Sequence, residues 1–168
     1  MHSLPEADIG LGETVYQIHA KPFVAYLKRG KIYSIEGFKM LVLGGALSID
    51  KMYRKPNISW WENEYWSEQE KNNLFNLIKT ENNFDFVISH TGPQHINNIL
   101  CRYWNFNPAK FKDEVAILND EIHDKINFKQ WYCGHWHMDG SYYDSKNKRE
   151  YHYLWKKTVV ILAVSSSV

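Results

Sequence analysis

The sequence predicts mixed α/β or α+β layers in a single domain spanning residues 1–168. Short apolar, aromatic-rich runs recur along the chain and read as buried strands. Between them lie stretches with an apolar stripe at helical spacing, one of them opened by a capping box. No repeat, low-complexity segment or linker divides the chain, and 168 residues match the usual size of one domain.

Residues 1–22 are polar and punctuated by Gly and Pro, which predicts a loop or peripheral segment. Residues 31–35 alternate as a strand should. Glu36-Gly37 then turns the chain into the apolar run 39–43, which ends at Gly44-Gly45, so the two runs form a hairpin. Residues 50–64 are irregular and carry Trp60-Trp61. Ser67 precedes Glu70 by the capping-box spacing, and Leu74, Phe75, Leu77 and Ile78 follow on one helical face. Residues 84–88 read as a strand, broken sharply by Thr91-Gly92-Pro93. A short helix over 95–104 and a better one over 113–126 come next; the latter carries Val115, Leu118, Ile122 and Ile126 as its stripe. Trp131-Tyr132-Cys133 marks another strand. Tyr142-Tyr143 and residues 151–154 read as strands separated by a turn at 145–148, and residues 159–164 as a last strand.

Apolar residues make up 44% of the chain, enough for a core, and the 20 basic and 19 acidic side chains balance. That balance gives no surface field recommending a nucleic acid. The run 159–164 is far shorter than the ~20 residues a bilayer span needs, so no membrane is expected. Cys101 and Cys133 have neither redox nor metal-binding spacing, which suggests a reducing, cytoplasmic setting.

The chemistry concentrates in Ser89-His90 and Gly134-His135-Trp136-His137. Each histidine group follows a strand, where open α/β sheets place their ligands. Histidines at i and i+2 on a strand share a face, and neutral imidazole is a common ligand for divalent transition metals. His90, His135 and His137 are therefore the candidate metal ligands. His2, His19, His95, His123 and His152 read as surface or hydrogen-bonded core residues. Arg54 is the candidate substrate-binding residue, because its planar fork suits phosphate oxygens; pairing with Asp50 one helical turn away is the competing role. Trp60-Trp61 reads as a cover for the core and Asp139 as a turn acid. Ser89 faces away from His90, so no nucleophilic triad is expected, and Cys133 in its apolar run should be an inert thiol. Gly44-Gly45 lacks the Gly-Lys-Ser/Thr of a nucleotide-binding loop.

In these segments the chain resembles the calcineurin-like metallophosphoesterases, in their bacterial and phage-type branch. The matching pieces are Leu43-Gly44-Gly45-Ala46, Ser48-Ile49-Asp50-Lys51 with Arg54, Ser59-Trp60-Trp61 with Glu64, residues 87–93 around His90, and Gly134-His135-Trp136-His137. The resemblance runs from about residue 25 to residue 155. It implies a two-sheet sandwich flanked by helices and a phosphatase-type hydrolase. Its cofactors would be divalent ions such as Mn, Fe, Zn or Ni. His90 and His135 would hold one metal and His137 the other, with a metal-activated water attacking a phosphate ester.

The family's Asp-x-His, Gly-Asp and Gly-Asn-His-Asp/Glu motifs have no counterpart in this sequence. The expectation is therefore a C-terminal, truncated portion of such an enzyme that holds at most one metal well, with a complementary N-terminal segment as its partner. Two metals without a bridging carboxylate would repel one another. Two other functions fit the same residues: a hydrolase with a single metal on three histidines, and a binding module that keeps the fold without the chemistry.

Overall fold

The computed structural model describes residues 4–21, 23–46, 53–105, 107 and 113–159. Its elements are β1 (Glu6–Ala7), β2 (Val15–Ala20), β3 (Phe23–Tyr26), β4 (Lys31–Ile35), β5 (Phe38–Val42), α1 (Glu68–Thr80), β6 (Asn83–Ile88), α2 (Gln94–Tyr103), α3 (Glu114–His123), β7 (Asn127–Cys133), β8 (Gly140–Asp144) and β9 (Arg149–Tyr153). A single 3-10 turn, Glu62–Glu64, precedes α1. The strands form a sheet of three, β1-β2-β3, and a sheet of six in the order β4-β5-β6-β7-β9-β8.

In the larger sheet β5, β6, β7 and β9 run parallel, while β4 and β8 pair antiparallel at its two edges. Parallel neighbours need long crossovers, and helices supply two of the three, the connection from β7 to β9 running through β8. The crossover from β5 to β6 carries α1, and that from β6 to β7 carries α2 and α3. The β4–β5 hairpin closes through Glu36 (φ 51°) and Gly37 (φ 80°). Two positive φ values in a two-residue loop match the right-handed twist of the strands they join. At the start of α1 the Ser67 hydroxyl accepts from the Glu70 N–H, and the Glu70 carboxylate accepts from the Ser67 N–H (2.9 Å), completing the expected capping box.

Strand alternation assigns the two faces of the sheet. On one face Leu41, Val87, Trp131, Cys133, Tyr151 and Tyr153 meet Leu74 and Ile78 of α1, Ile96 and Leu100 of α2, and Val115, Leu118 and Ile122 of α3. On the other, Tyr33, Met40, Val42, Phe86 and Tyr132 pack with Val15, Ala7 and Ala25 of the small sheet. The protein is thus a mixed α/β chain in three layers: small sheet, six-stranded sheet, helices. The mixed α/β fold expected from the sequence is present, with two sheets and flanking helices consistent with the partial two-sheet sandwich that the resemblance implies. Burial on both faces explains why the central strands read as nearly continuous apolar runs.

Two expectations need correction. Residues 1–22 are not simply a loop, because β1 and β2 lie there; β2 escapes the period-2 pattern through an irregularity between Gln17 and His19. The helix expected over 113–126 ends at His123 with Asp124 as its cap, and Ile126 is buried beyond it. Of the strand expected at 159–164, residues 160–164 lie outside the described residues. Among the described residues no helix is long and apolar enough to cross a membrane.

His123, in the last turn of α3, ties the helices to the sheet. Arg149 donates from Nη1 to its Nε2 (3.1 Å), the Tyr151 hydroxyl lies 2.7 Å from the same nitrogen, and Asp124 lies 3.2 Å from Nδ1. Arginine only donates, so Nε2 carries the lone pair and the ring is neutral. Burial holds His123 below its ordinary pKa, outweighing the opposing pull of Asp124. The unfolded chain takes up that proton near the usual value of about 6.5, whereas the folded chain does so only at lower pH. Between the two values the unfolded state holds more protons, so stability is lost as pH falls. Urea unfolding measured from neutral to mildly acidic pH should show falling stability, with a shallower slope in His123→Gln; an unchanged slope in that variant would contradict this account.

Candidate functional site

The parallel register brings the C-terminal ends of β5, β6, β7 and β9 to one edge of the sheet. The hydrogen-bond ladder continues past the strands themselves. Leu43 N–H donates to Ile88 (2.7 Å), Ser89 N–H to Tyr132 (3.0 Å), Gly134 N–H to His90 (2.9 Å) and Leu154 N–H to Cys133 (2.8 Å). The loops after β6 and β7 therefore leave side by side, and the rings of His90 and His135 meet with centroids 5.1 Å apart at 68°. This is the position in which open α/β sheets bind ligands.

The Gly134–His137 segment is a strained turn and not an extension of β7. Trp136 N–H donates to the Gly134 carbonyl (2.9 Å), closing a three-residue turn about His135. His135 (φ 71°) and His137 (φ 52°) both lie in the left-handed region. A γ-turn of positive φ is rare, and such conformations cost roughly 1–3 kcal/mol each. The expected strand geometry for His-x-His is thus replaced by a bend. His137 is exposed and stacks on Trp155, with centroids 5.8 Å apart and planes 12° from parallel. Asp139 fixes that partner: its Oδ1 accepts from the backbone N–H of Trp155 (2.9 Å), Lys156 (3.3 Å) and Lys157 (3.2 Å). Asp139 is accordingly an acid that anchors a turn.

A buried polar network holds the His90 loop. Trp131 Nε1 donates to Ser89 Oγ (2.7 Å), Ser89 Oγ donates to the Thr91 carbonyl (2.7 Å), and Asn119 Nδ2 donates to that same carbonyl (2.8 Å). Tyr153 donates to Asn97 Oδ1 (2.6 Å), and Asn97 Nδ2 donates to the Gly92 carbonyl (3.0 Å). A Cβ on Gly92 would overlap the Tyr153 hydroxyl, so this close approach requires glycine. Ser89 is buried within the network while His90 keeps a solvent-exposed edge. The two neighbours face opposite ways, as their sequence positions suggest.

Burial sets the protonation of the paired rings. His135 is pushed down to about 4, first by desolvation, then by the neighbouring His90, with His137 adding slightly and Asp113 opposing. His90 is lowered by desolvation, against the fields of Asp113 and Glu64, with His137 again pushing it down. At neutral pH both rings are neutral and keep a lone pair for a cation. Asp113 is buried and caps α3, its Oδ1 accepting from the Val115 N–H (2.8 Å). Its negative field reaches both histidines, a role the sequence did not reveal because it acts from α3 across to the strand-end loops. Glu64, quoted above only as part of a motif, acts on His90 in the same way.

The structure therefore brings His90 and His135 together and couples His137 to both electrostatically. Among the described residues no group of three or more His, Cys, Asp or Glu is gathered as a ready cage for a metal. Arg54 donates from Nη1 to the Ser59 carbonyl (3.1 Å), bracing its own loop. Asp50 and Lys51 lie outside the described residues. Trp60 packs its edge against Tyr65 (6.1 Å). Desolvation pushes the Cys133 thiol far up, so it is inert at neutral pH. Compared with protein-family models, with curated proteins and with solved structures, the chain matches none.

Asn97→Ala should lower the unfolding free energy by at least about 2 kcal/mol, because it strands the Tyr153 hydroxyl and the Gly92 carbonyl in the interior. Urea denaturation gives the number, and a loss near zero would mean that the network does not brace the loop.

Proposed function

We propose that this chain carries the histidine side of a metal-dependent phosphoesterase site and hydrolyses phosphate esters through a metal-activated water. The observation that carries the reading is the pairing of two neutral imidazoles, His90 and His135, at the C-terminal edge of parallel strands. A strained turn at His135 and His137 supports it, since backbone strain of this kind gathers at functional positions.

The donor set suits a divalent ion. Two neutral rings stand side by side, a third histidine is within electrostatic reach, and Asp113 adds negative potential. His90, His135 and His137 would hold the ion, in keeping with at most one well-bound metal. Such an ion, when bound, supplies Lewis acidity and a coordinated water of lowered pKa. The chain's own groups orient and position: the network through Ser89 and Asn97 fixes the His90 loop, and Arg54 offers its guanidinium to the phosphate oxygens. Carboxylate donors for a second metal would come from a complementary N-terminal segment. On this reading hydrolysis at an enzyme's usual rate belongs to the completed site.

Calorimetric titration with manganese should show one site, and His135→Ala should weaken it at least about tenfold. Unaltered affinity in that variant would overturn the assignment, and no manganese binding by the unmutated chain would leave a binding module without metal chemistry. In a completed enzyme acting on a chromogenic phosphate ester, Arg54→Ala should reduce kcat/KM and leave manganese affinity intact; unchanged kinetics would remove Arg54 from the substrate site.

A further inference from the structure

A second site lies on the same side of the fold, between the small sheet and the start of α1. It is a cleft of about 750 Å³ lined by Tyr16, Tyr26, Arg29, Tyr65 and Trp66, with Lys28, Lys31 and Glu62 among its other lining residues. That volume is ordinary for a small-molecule site. Tyr16 and Tyr26 are directly paired across β2 and β3, with ring centroids 6.4 Å apart and planes 27° from parallel. The rings are offset, and Lys28 Nζ stands 4.7 Å over the Tyr16 ring, so the open π-surface of the pair is that of Tyr26. Tyr26 is 52% exposed.

The charges in this cleft are already matched. Arg29 grips Glu70 with a two-point fork, Nε to Oε1 and Nη2 to Oε2, both 2.9 Å. Lys28 pairs with Glu6 at 2.7 Å and Lys31 with Glu13 at 3.2 Å. The lining carries three cations and two carboxylates, Glu62 and Glu70; Glu6 and Glu13 reach Lys28 and Lys31 from outside it, so each cation already has a carboxylate partner. An exposed aromatic face beside cations that are already paired suits a flat, neutral ring, and the phenol hydroxyls offer donors and acceptors to the edge of a heterocycle.

We infer that this cleft binds a neutral planar heteroaromatic ring of the nucleobase class, held by stacking on Tyr26. The segment that forms its wall also reaches the histidine edge. Trp66 donates from Nε1 to the Gly44 carbonyl at the end of β5 (2.8 Å), and Glu64, between the lining residues Glu62 and Tyr65, acts on His90. Binding at the cleft nevertheless requires no metal and stands apart from the phosphoesterase reading.

The test is a calorimetric titration of the full chain with adenosine in the presence of a metal chelator. Saturable binding is expected, weakened about tenfold by Tyr26→Ala and retained by Tyr26→Phe, because one stacked base is worth roughly that much. Adenosine monophosphate should bind no more tightly than adenosine. Tyr26 is exposed, so its replacement leaves the core untouched, and circular dichroism of each variant verifies the fold. Four results would each overturn the inference: no saturable binding of adenosine, unchanged affinity in Tyr26→Ala, tighter binding of the monophosphate, or preferential binding of methyl glucoside.

Discussion

One buried hydroxyl, that of Ser89, stands between the Trp131 indole and the Thr91 carbonyl and hands a hydrogen bond from one to the other. Asn119 grips the same carbonyl from α3, and Asn97 grips the next one from α2. The chain must leave β6 abruptly at this point, deep between sheet and helices, where unpaired backbone would cost heavily. The network satisfies these groups and gives the loop a single geometry. Everything proposed for His90 depends on that geometry, because the ring meets His135 only if both loops leave the sheet in fixed register.

The surrounding layers make such a network affordable by excluding water from both faces. The helical face contributes Trp131, Tyr151 and Tyr153, whose large rings fill the core while their polar ends engage Ser89, His123 and Asn97. Aromatic residues with one polar tip suit positions where a packed interior must also position backbone. The desolvation that secures the core also keeps His90 and His135 neutral. Packing, loop geometry and the chemical state of the strand-end rings thus have a common physical origin.

Much of this arrangement was legible in the sequence where the signal was local. Ser67 and Glu70 announced α1 through their spacing. The Glu36-Gly37 turn announced the β4–β5 hairpin, and the apolar runs before His90 and His135 put both rings at strand ends. Features set by tertiary context were not legible. β2 buries only Val15 among its six residues and carries an irregularity, so its alternation is broken. Asp113 stood in the sequence only as the first residue of an expected helix, and its field on the histidines arises only when α3 folds against the loop. The turn at His135 and His137 needed coordinates, since positive φ in a residue other than glycine leaves no mark in a sequence. Charge matching in the Tyr16–Tyr26 cleft joins residues as distant as Arg29 and Glu70, which no spacing rule connects.

The proposed metal site requires His90 and His135 to act together as one neutral, cation-gripping pair. Following the imidazole nitrogen resonances of all histidines by NMR at neutral pH during a zinc titration tests it most directly. The resonances of His90 and His135 should move together and saturate at the same zinc concentration, ahead of every histidine outside the strand-end site. Movement of only one of the two, or saturation of His95 or His123 first, would contradict the account.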